Sequence, residues 1–258
     1  MARRIDEECF FAPPESFSQG SLTIRGPEAK HIAVVLRRRP GDMISVLDGR
    51  GARYTVELTE CTSDAIRGHI REKEGSLPRT PELWIAAGII RANRMDLLVE
   101  KCTELGAHAI VPVFTKRSLS SKGVSDSRLA RWLRICVGAM TQTARLFLPK
   151  VWSPVSLEEL VGMAGGNATL LLAHPSGKSM HSLRENDLSR ARVVTCVGPE
   201  GDFTPVELEF LIKHDAIPVS LGETTLRAET AAMAVLDRLN FLLERPGLSG
   251  AKSCGQPG

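Results

Sequence analysis

A chain of 258 residues suits one large domain or two smaller ones. Apolar residues make up 43% and charged residues 24%, an ordinary globular composition that excludes a fibrous or disordered protein. A net charge of +3 permits nucleic-acid binding but does not argue for it, because dedicated binders are more basic or more clustered.

The N-terminus, Met1-Ala2-Arg3-Arg4, turns acidic without an apolar h-region, and no apolar run is long enough to span a bilayer. Cys9, Cys61, Cys102, Cys136, Cys196 and Cys254 are scattered with no C-x-x-C pair, which favours neither a metal site nor a disulfide framework. A cytoplasmic protein with no membrane partner and no metal is expected.

Residues Ser21 to Ile70 read as a small β-rich unit. Candidate strands are Ser21–Arg25, Met43–Leu47, Tyr54–Leu58 and Ala65–Ile70, with a hairpin-type turn at Asp48-Gly49-Arg50-Gly51 and a short helix over His31–Arg37. Lys73 to Pro81 combines charges, Gly, Ser and two Pro, and reads as a linker. The expected division is therefore 1–75, a β domain, then 80–246, with a disordered tail at 247–258.

After Pro81, strands and helices alternate. Leu83–Ile90 is a strand, and Met95, Leu98, Val99, Cys102 and Leu105 form a helical stripe. Ala109–Phe114 is a strand; Leu129, Trp132, Leu133, Cys136, Val137 and Met140 form a second stripe; Thr169–Ala173 is a strand. Such alternation predicts an α/β domain with a mostly parallel sheet covered on both faces.

The last two strands carry the strongest signal. Val193–Val197 runs into Gly198-Pro199-Glu200-Gly201-Asp202, and Thr204-Pro205-Val206-Glu207 then has the form of a capping box with Pro at the first helical position. Ile217–Leu221 runs into Gly222, Leu226, Arg227 and Glu229, just before an apolar helix. Ligands of open α/β sheets bind at the carboxyl ends of strands, where both loops fall. An ion pair between Arg227 and Glu229, with Glu229 complementing the helix dipole, is the plain structural account.

Other charges are less specific. Arg37-Arg38-Arg39, with Lys30, His31, Arg50 and Arg53, forms either a phosphate-binding face or a solvated run. Arg91 and Arg94 stand where a strand gives way to a helix and suit phosphate or helix-flanking roles equally. Gln142 and Arg145 follow the second stripe, and His174 ends a strand as either a base or a turn residue. No P-loop, H-E-x-x-H, Ser-His-Asp set or G-x-G-x-x-G fingerprint is visible.

In combination and order, these pieces resemble the RsmE family of 16S ribosomal RNA uridine-N3 methyltransferases, within the SPOUT (α/β-knot) superfamily. The resemblance rests on His31-Ile32 with Val35-Leu36-Arg37 and Gly41-Asp42; on Lys101, Glu104-Leu105-Gly106, Ile110-Val111-Pro112 and Arg117-Ser118; and on Gly198-Pro199-Glu200-Gly201 and Leu221-Gly222 with Leu226-Arg227-Ala228-Glu229-Thr230-Ala231. It implies a PUA-like β-barrel for RNA recognition before a SPOUT trefoil-knot domain with a parallel sheet. That second domain would bind S-adenosylmethionine and form a homodimer.

By resemblance the cofactor lies among Leu172, His174, Gly198, Pro199, Glu200, Gly201, Leu221, Gly222 and Leu226. Arg227 and Glu229 are the catalytic candidates, Arg227 to offset negative charge on the base and Glu229 to accept a proton or orient Arg227. Arg37, Arg91, Arg94, Gln142 and Arg145 are the candidate contacts to 16S rRNA or the small ribosomal subunit. The chain departs from the family at Ala92, usually glycine, and at Thr141, often Glu, so no role of that carboxylate carries over. A knot enzyme acting on another RNA position, such as a transfer-RNA ribose, and a non-catalytic RNA-binding protein are the alternatives.

Overall fold

The computed structural model describes residues 8–118 and 124–244. The tail expected at 247–258 lies outside the described residues. By contact the chain forms two compact units, Met1–Arg79 with Ala130–Pro149, and Thr80–Leu129 with Lys150–Gly258.

In the first unit, strands β1 (Cys9–Phe11), β2 (Phe17–Ser18) and β3 (Ser21–Arg25) precede the one-turn helix α1 (Pro27–Lys30), which a π-turn over His31–Val35 continues. Strands β4 (Met43–Leu47), β5 (Ala52–Cys61) and β6 (Ala65–Gly75) follow. They form one six-stranded sheet in the order β1-β4-β5-β6-β3-β2, antiparallel apart from the β1–β4 pair. Alternation sets its inner face: Ala52, Tyr54, Val56 and Leu58 of β5 are buried and pack with Phe10, Leu22, Ile24, Ile32 and Ile66. Register shifts in the β5–β6 pair, at Thr55/Val56 and Leu58/Glu60, are bulges of the kind that bend and twist a sheet.

Besides β1 and β2, which the strand pattern did not include, two details of this unit differ from expectation. β6 continues through Lys73–Gly75, the start of the expected linker, pairing with Ala52–Tyr54; polar residues suit a ladder exposed on its outer side. The helical turn also stops short of Arg37, which is exposed with φ +55°.

The second unit opens with β7 (Glu82–Gly88), α2 (Ala92–Glu104) and β8 (Ala109–Val113). Helix α3 (Asp126–Gln142) belongs to the first unit from Ala130 onward, where Met140 packs with Cys9 and Leu47. Then come β9 (Lys150–Val151), α4 (Leu157–Ala164), β10 (Ala168–Ser179), β11 (Arg192–Val197), α5 (Pro205–Lys213), β12 (Ile217–Ser220) and α6 (Ala228–Leu243). All strand pairs are parallel, in the order β12-β10-β11-β7-β8-β9.

Both faces are covered, as the near-continuous apolar strands require. On one face Leu157, Leu160 and Ala164 of α4 and Leu211 of α5 pack on Trp84, Ala86, Val111, Val194 and Cys196. On the other, α6 packs on α2, β7 and β11, and Asn240 Nδ2 donates to the Leu105 carbonyl (2.7 Å), closing the end of α2. The capping box expected at Thr204 and Glu207 forms. A second, at Ser156 and Glu159, starts α4, which the periodicity did not reveal. Among the described residues no helix is long and apolar enough to cross a membrane.

Candidate functional site

The carboxyl ends of β10, β11 and β12 open onto a cavity of about 350 Å³. Three loops wall it. His174 and Pro175 form the irregularity in β10 after Ala173, Gly198, Pro199, Glu200 and Asp202 leave β11, and Leu221, Gly222, Leu226 and Arg227 connect β12 to α6. Arg94, in the first turn of α2, supplies a fourth wall. Ala173, Val197 and Ala231 give it an apolar floor. The two late loops thus meet at one site, as their placement after neighbouring strands suggested.

Of the residues expected at a cofactor, His174, Gly198, Pro199, Glu200, Leu221, Gly222 and Leu226 line this cavity. Leu172 does not: its side chain is 1% exposed and belongs to the core beneath α4 and α5. Alternation along β10 turns it away and leaves Ala173 facing the cavity. Gly201 also stands outside the lining, where its carbonyl accepts a hydrogen bond from Arg117 Nη1 (2.6 Å).

Arg117 and the residues beside it buttress the β11 loop, a role the sequence did not disclose. The Lys116 N–H donates to Glu207 Oε1 (2.7 Å), and the Thr204 N–H donates to Glu207 Oε2 (2.7 Å). Burial pushes the Glu207 carboxyl up. The N–H groups of Thr204 and Lys116, the Thr204 hydroxyl and the Arg117 charge outweigh this and hold it below the usual carboxylate range. Because its native value is the lower one, the stabilisation is complete above the unfolded-state value and disappears as pH falls through the native value. Glu207→Ala is expected to cost about 0.5–2 kcal/mol at pH 7, as for the loss of a helix cap. In urea melts at stepped pH the difference from the parent chain shrinks below about pH 4.3, the ordinary glutamate value; a difference that persists unchanged to lower pH counts against this origin.

Two loop residues tie the cavity's walls together. The Ser176 N–H donates to His174 Nδ1 (3.2 Å), and His174 Nε2 lies 3.7 Å from Asp202 Oδ2. Asp202 takes φ +60°, a conformation that Asp tolerates better than most residues, and its Oδ1 accepts the Phe203 N–H (2.7 Å).

The catalytic candidates part company. Arg227 is the exposed N-cap of α6 and lines the cavity. Glu229 is 5% exposed and pairs with Arg94 instead: Arg94 Nε lies 3.8 Å from Glu229 Oε1, while Arg94 Nη1 lies 3.6 Å from Glu200 Oε1. The surface ion pair expected between Arg227 and Glu229 is therefore replaced by a link from α6 to α2.

Of the RNA candidates in this unit, Arg94 lines the cavity and Arg91 is the exposed N-cap of α2. The other three lie in the first unit. Arg37 is exposed after the π-turn, Gln142 is the exposed last residue of α3, and Arg145 follows it, half-buried. Burial lowers the Arg145 value to about 10, which leaves it charged at neutral pH. Among the described residues no group of three or more His, Cys, Asp or Glu is arranged to hold a metal ion.

Residues 78–240 match the RNA methyltransferase domain family, and residues 24–70 match the RNA methyltransferase PUA domain. Ribosomal RNA small subunit methyltransferase E of Synechocystis is 32% identical over 238 residues, 90% of this chain and 76% of that protein. The Bacillus subtilis protein of the same name is 29% identical, over 87% of this chain and 91% of its own. The Neisseria gonorrhoeae protein of that name, solved bound to S-adenosyl methionine, superposes with a TM-score of 0.81 at 27% identity, covering 92% of this chain and 98% of that one. The parallel sheet with its late loops is the SPOUT domain, and the sheet before it is the PUA-like domain, so this chain belongs to the RsmE family of RNA methyltransferases.

Proposed function

We propose that this chain methylates N3 of a specific uridine in 16S ribosomal RNA, with S-adenosylmethionine as the methyl donor. The observation that carries this reading is the convergence of three strand-end loops on one cavity. Its volume of about 350 Å³ is within the range of small-molecule sites. Its make-up suits the donor: Leu221, Leu226, Val197 and Ala231 offer apolar surface to an adenine, while Asp202 offers a carboxylate to a cationic group. Likeness to the Neisseria protein supports the same assignment.

The donor supplies a methyl group already made electrophilic by its sulfonium. The chain's own task is the base. Uracil N3 carries a proton and is a poor nucleophile until it is removed, and its edge must be unpaired or flipped outward to enter. The cavity loops would hold the two partners in line, which contributes up to about 7–11 kcal/mol in well-oriented reactions. Arg227, exposed at the cavity rim, is placed to offset negative charge on the base. Arg37, Arg91, Gln142 and Arg145 are assigned to RNA contact, as is Arg94, which also belongs to the cavity wall. Residues 1–75, with 130–149 of the same compact unit, would serve RNA recognition, and the rest of 80–246 catalysis. Family likeness further supports a homodimer formed through the second domain and action in the cytoplasm.

Mass spectrometry of 16S rRNA from a strain lacking the gene tests the reading. One 3-methyluridine is expected to vanish and to return when the purified chain and donor are added to small subunits. A methyl group restored at another atom, or none at all, would refute it. Arg227→Ala should abolish that restoration while leaving calorimetric donor affinity largely intact; near-normal turnover would remove Arg227 from the mechanism.

A further inference from the structure

Two carboxylates share one guanidinium at the cavity, and they face different surroundings. Glu200 lines the cavity with 29% of its side chain exposed. Glu229 has 7% exposed, is not among the lining residues, and its Oε2 is buried without a hydrogen bond. Arg94 stands between them, 24% exposed, 3.6 Å from one acid and 3.8 Å from the other.

This arrangement bears on the methyl-transfer reading above, and the inference rests on that reading. We propose that Glu200 is the proton acceptor for uracil N3, and that Arg94, held in turn by Glu229, is the positioning residue that aims it. A proton acceptor must come within hydrogen-bond reach of the proton it takes. Glu200 borders the space where a base can enter; Glu229 does not.

The histidine and the other acid of the lining each already accept a backbone hydrogen bond. His174 Nδ1 accepts from the Ser176 N–H, and its Nε2 faces Asp202. Asp202 uses Oδ1 for the Phe203 N–H and turns Oδ2 to His174. Among the described residues Glu200 faces the guanidinium of Arg94 at 3.6 Å, longer than a hydrogen bond, so it retains acceptor capacity.

In the step itself the Glu200 carboxylate takes the N3 proton as the N3 lone pair bonds to the methyl carbon. The carbon–sulfur bonding pair passes to sulfur, leaving a neutral thioether. Glu200 then releases its proton to water through its exposed side. No further reactant is needed.

The test is single-turnover methylation of undermethylated small ribosomal subunits by the full chain, with donor affinity measured by calorimetry. Glu200→Gln should lower the rate by about 10²-fold or more, the usual contribution of a proton-transfer group, with donor affinity changed by less than about threefold. Formate should raise the rate of Glu200→Ala in proportion to its concentration, a response that a structural role would not give. Glu229→Gln should stay within about tenfold of the parent, because Glu229 does not border the space where the base enters. A Glu200→Gln loss below tenfold, a donor affinity that falls in step with the rate, no response to formate, or a larger loss in Glu229→Gln would each overturn the assignment. A parent chain that neither binds the donor nor methylates the subunits would instead overturn the methyl-transfer reading.

Discussion

Gly88→Ala is expected to weaken donor binding by more than about tenfold while the chain remains folded. A Cβ at this position would stand 2.6 Å from Pro199 Cδ and 2.8 Å from the Pro199 backbone nitrogen. Neither atom can swing aside as the tip of a long side chain would, because the proline ring is rigid and its nitrogen is part of the chain. Gly88 closes β7 at the centre of the parallel sheet, so it has little room to retreat. The β11 loop must yield, carrying Gly198 and Glu200 with it. Overpacking of this kind costs about 1–3 kcal/mol, and each 1.4 kcal/mol or so withdrawn from binding is a factor of ten. Calorimetry with S-adenosylmethionine reads the affinity, and urea unfolding reads the stability. If both stay at the parent values, Pro199 is not what holds the loop in place.

That contact shows where legibility in the sequence ends. All the strands of the α/β unit but β9 were visible because each carries a short apolar run, and the start of α5 because Thr204 and Glu207 satisfy each other within one turn. The cavity loops could be placed because a strand's carboxyl end follows from its direction. What periodicity does not encode is which loops meet. β11 lies between β10 and β7, and β12 lies outside β10, an order set by crossovers rather than by local pattern.

The pairing of Arg94 with Glu229, the clasp of Arg117 on the Gly201 carbonyl and the packing of Gly88 on Pro199 all depend on that order. Glu229 was singled out for its place beside Arg227, but the helix turns it toward α2. The misplacement of Leu172 is of another kind. Its alternation was readable, but an apolar strand buried on both faces gives no sign of which face looks toward the ligand. The start of α4 was legible and missed, since Ser156 and Glu159 carry the same box as Thr204 and Glu207.

A larger effect on donor binding is expected at Gly177, inside a stretch that the sequence shows only as Pro, Ser and Gly after a strand. β10 pairs with β12 up to Ala173 opposite Val219, loops out through His174 and Pro175, and rejoins β12 with Lys178 opposite the same Val219. Gly177 is the point of return. A Cβ there would lie 2.4 Å from the Val219 nitrogen and 2.5 Å from the Pro218 carbonyl carbon. Both are backbone atoms of a paired strand, so Gly177→Ala must lift either the returning segment or β12 itself. Either movement displaces a cavity wall, because His174 and Pro175 lie just before Gly177 in β10 and Leu221 and Gly222 follow β12.

The expected result is a loss of about 1–3 kcal/mol in stability and of the order of 100-fold in donor affinity, the equivalent of roughly 2.8 kcal/mol. Gly162→Ala supplies the contrast. It lies within α4, where a Cβ meets no heavy atom within 4 Å, and alanine should be neutral or stabilising by up to about 1 kcal/mol through helix propensity alone. If the two variants melt at the same urea concentration and bind the donor equally well, the return of β10 to β12 at Gly177 is not what shapes the cavity.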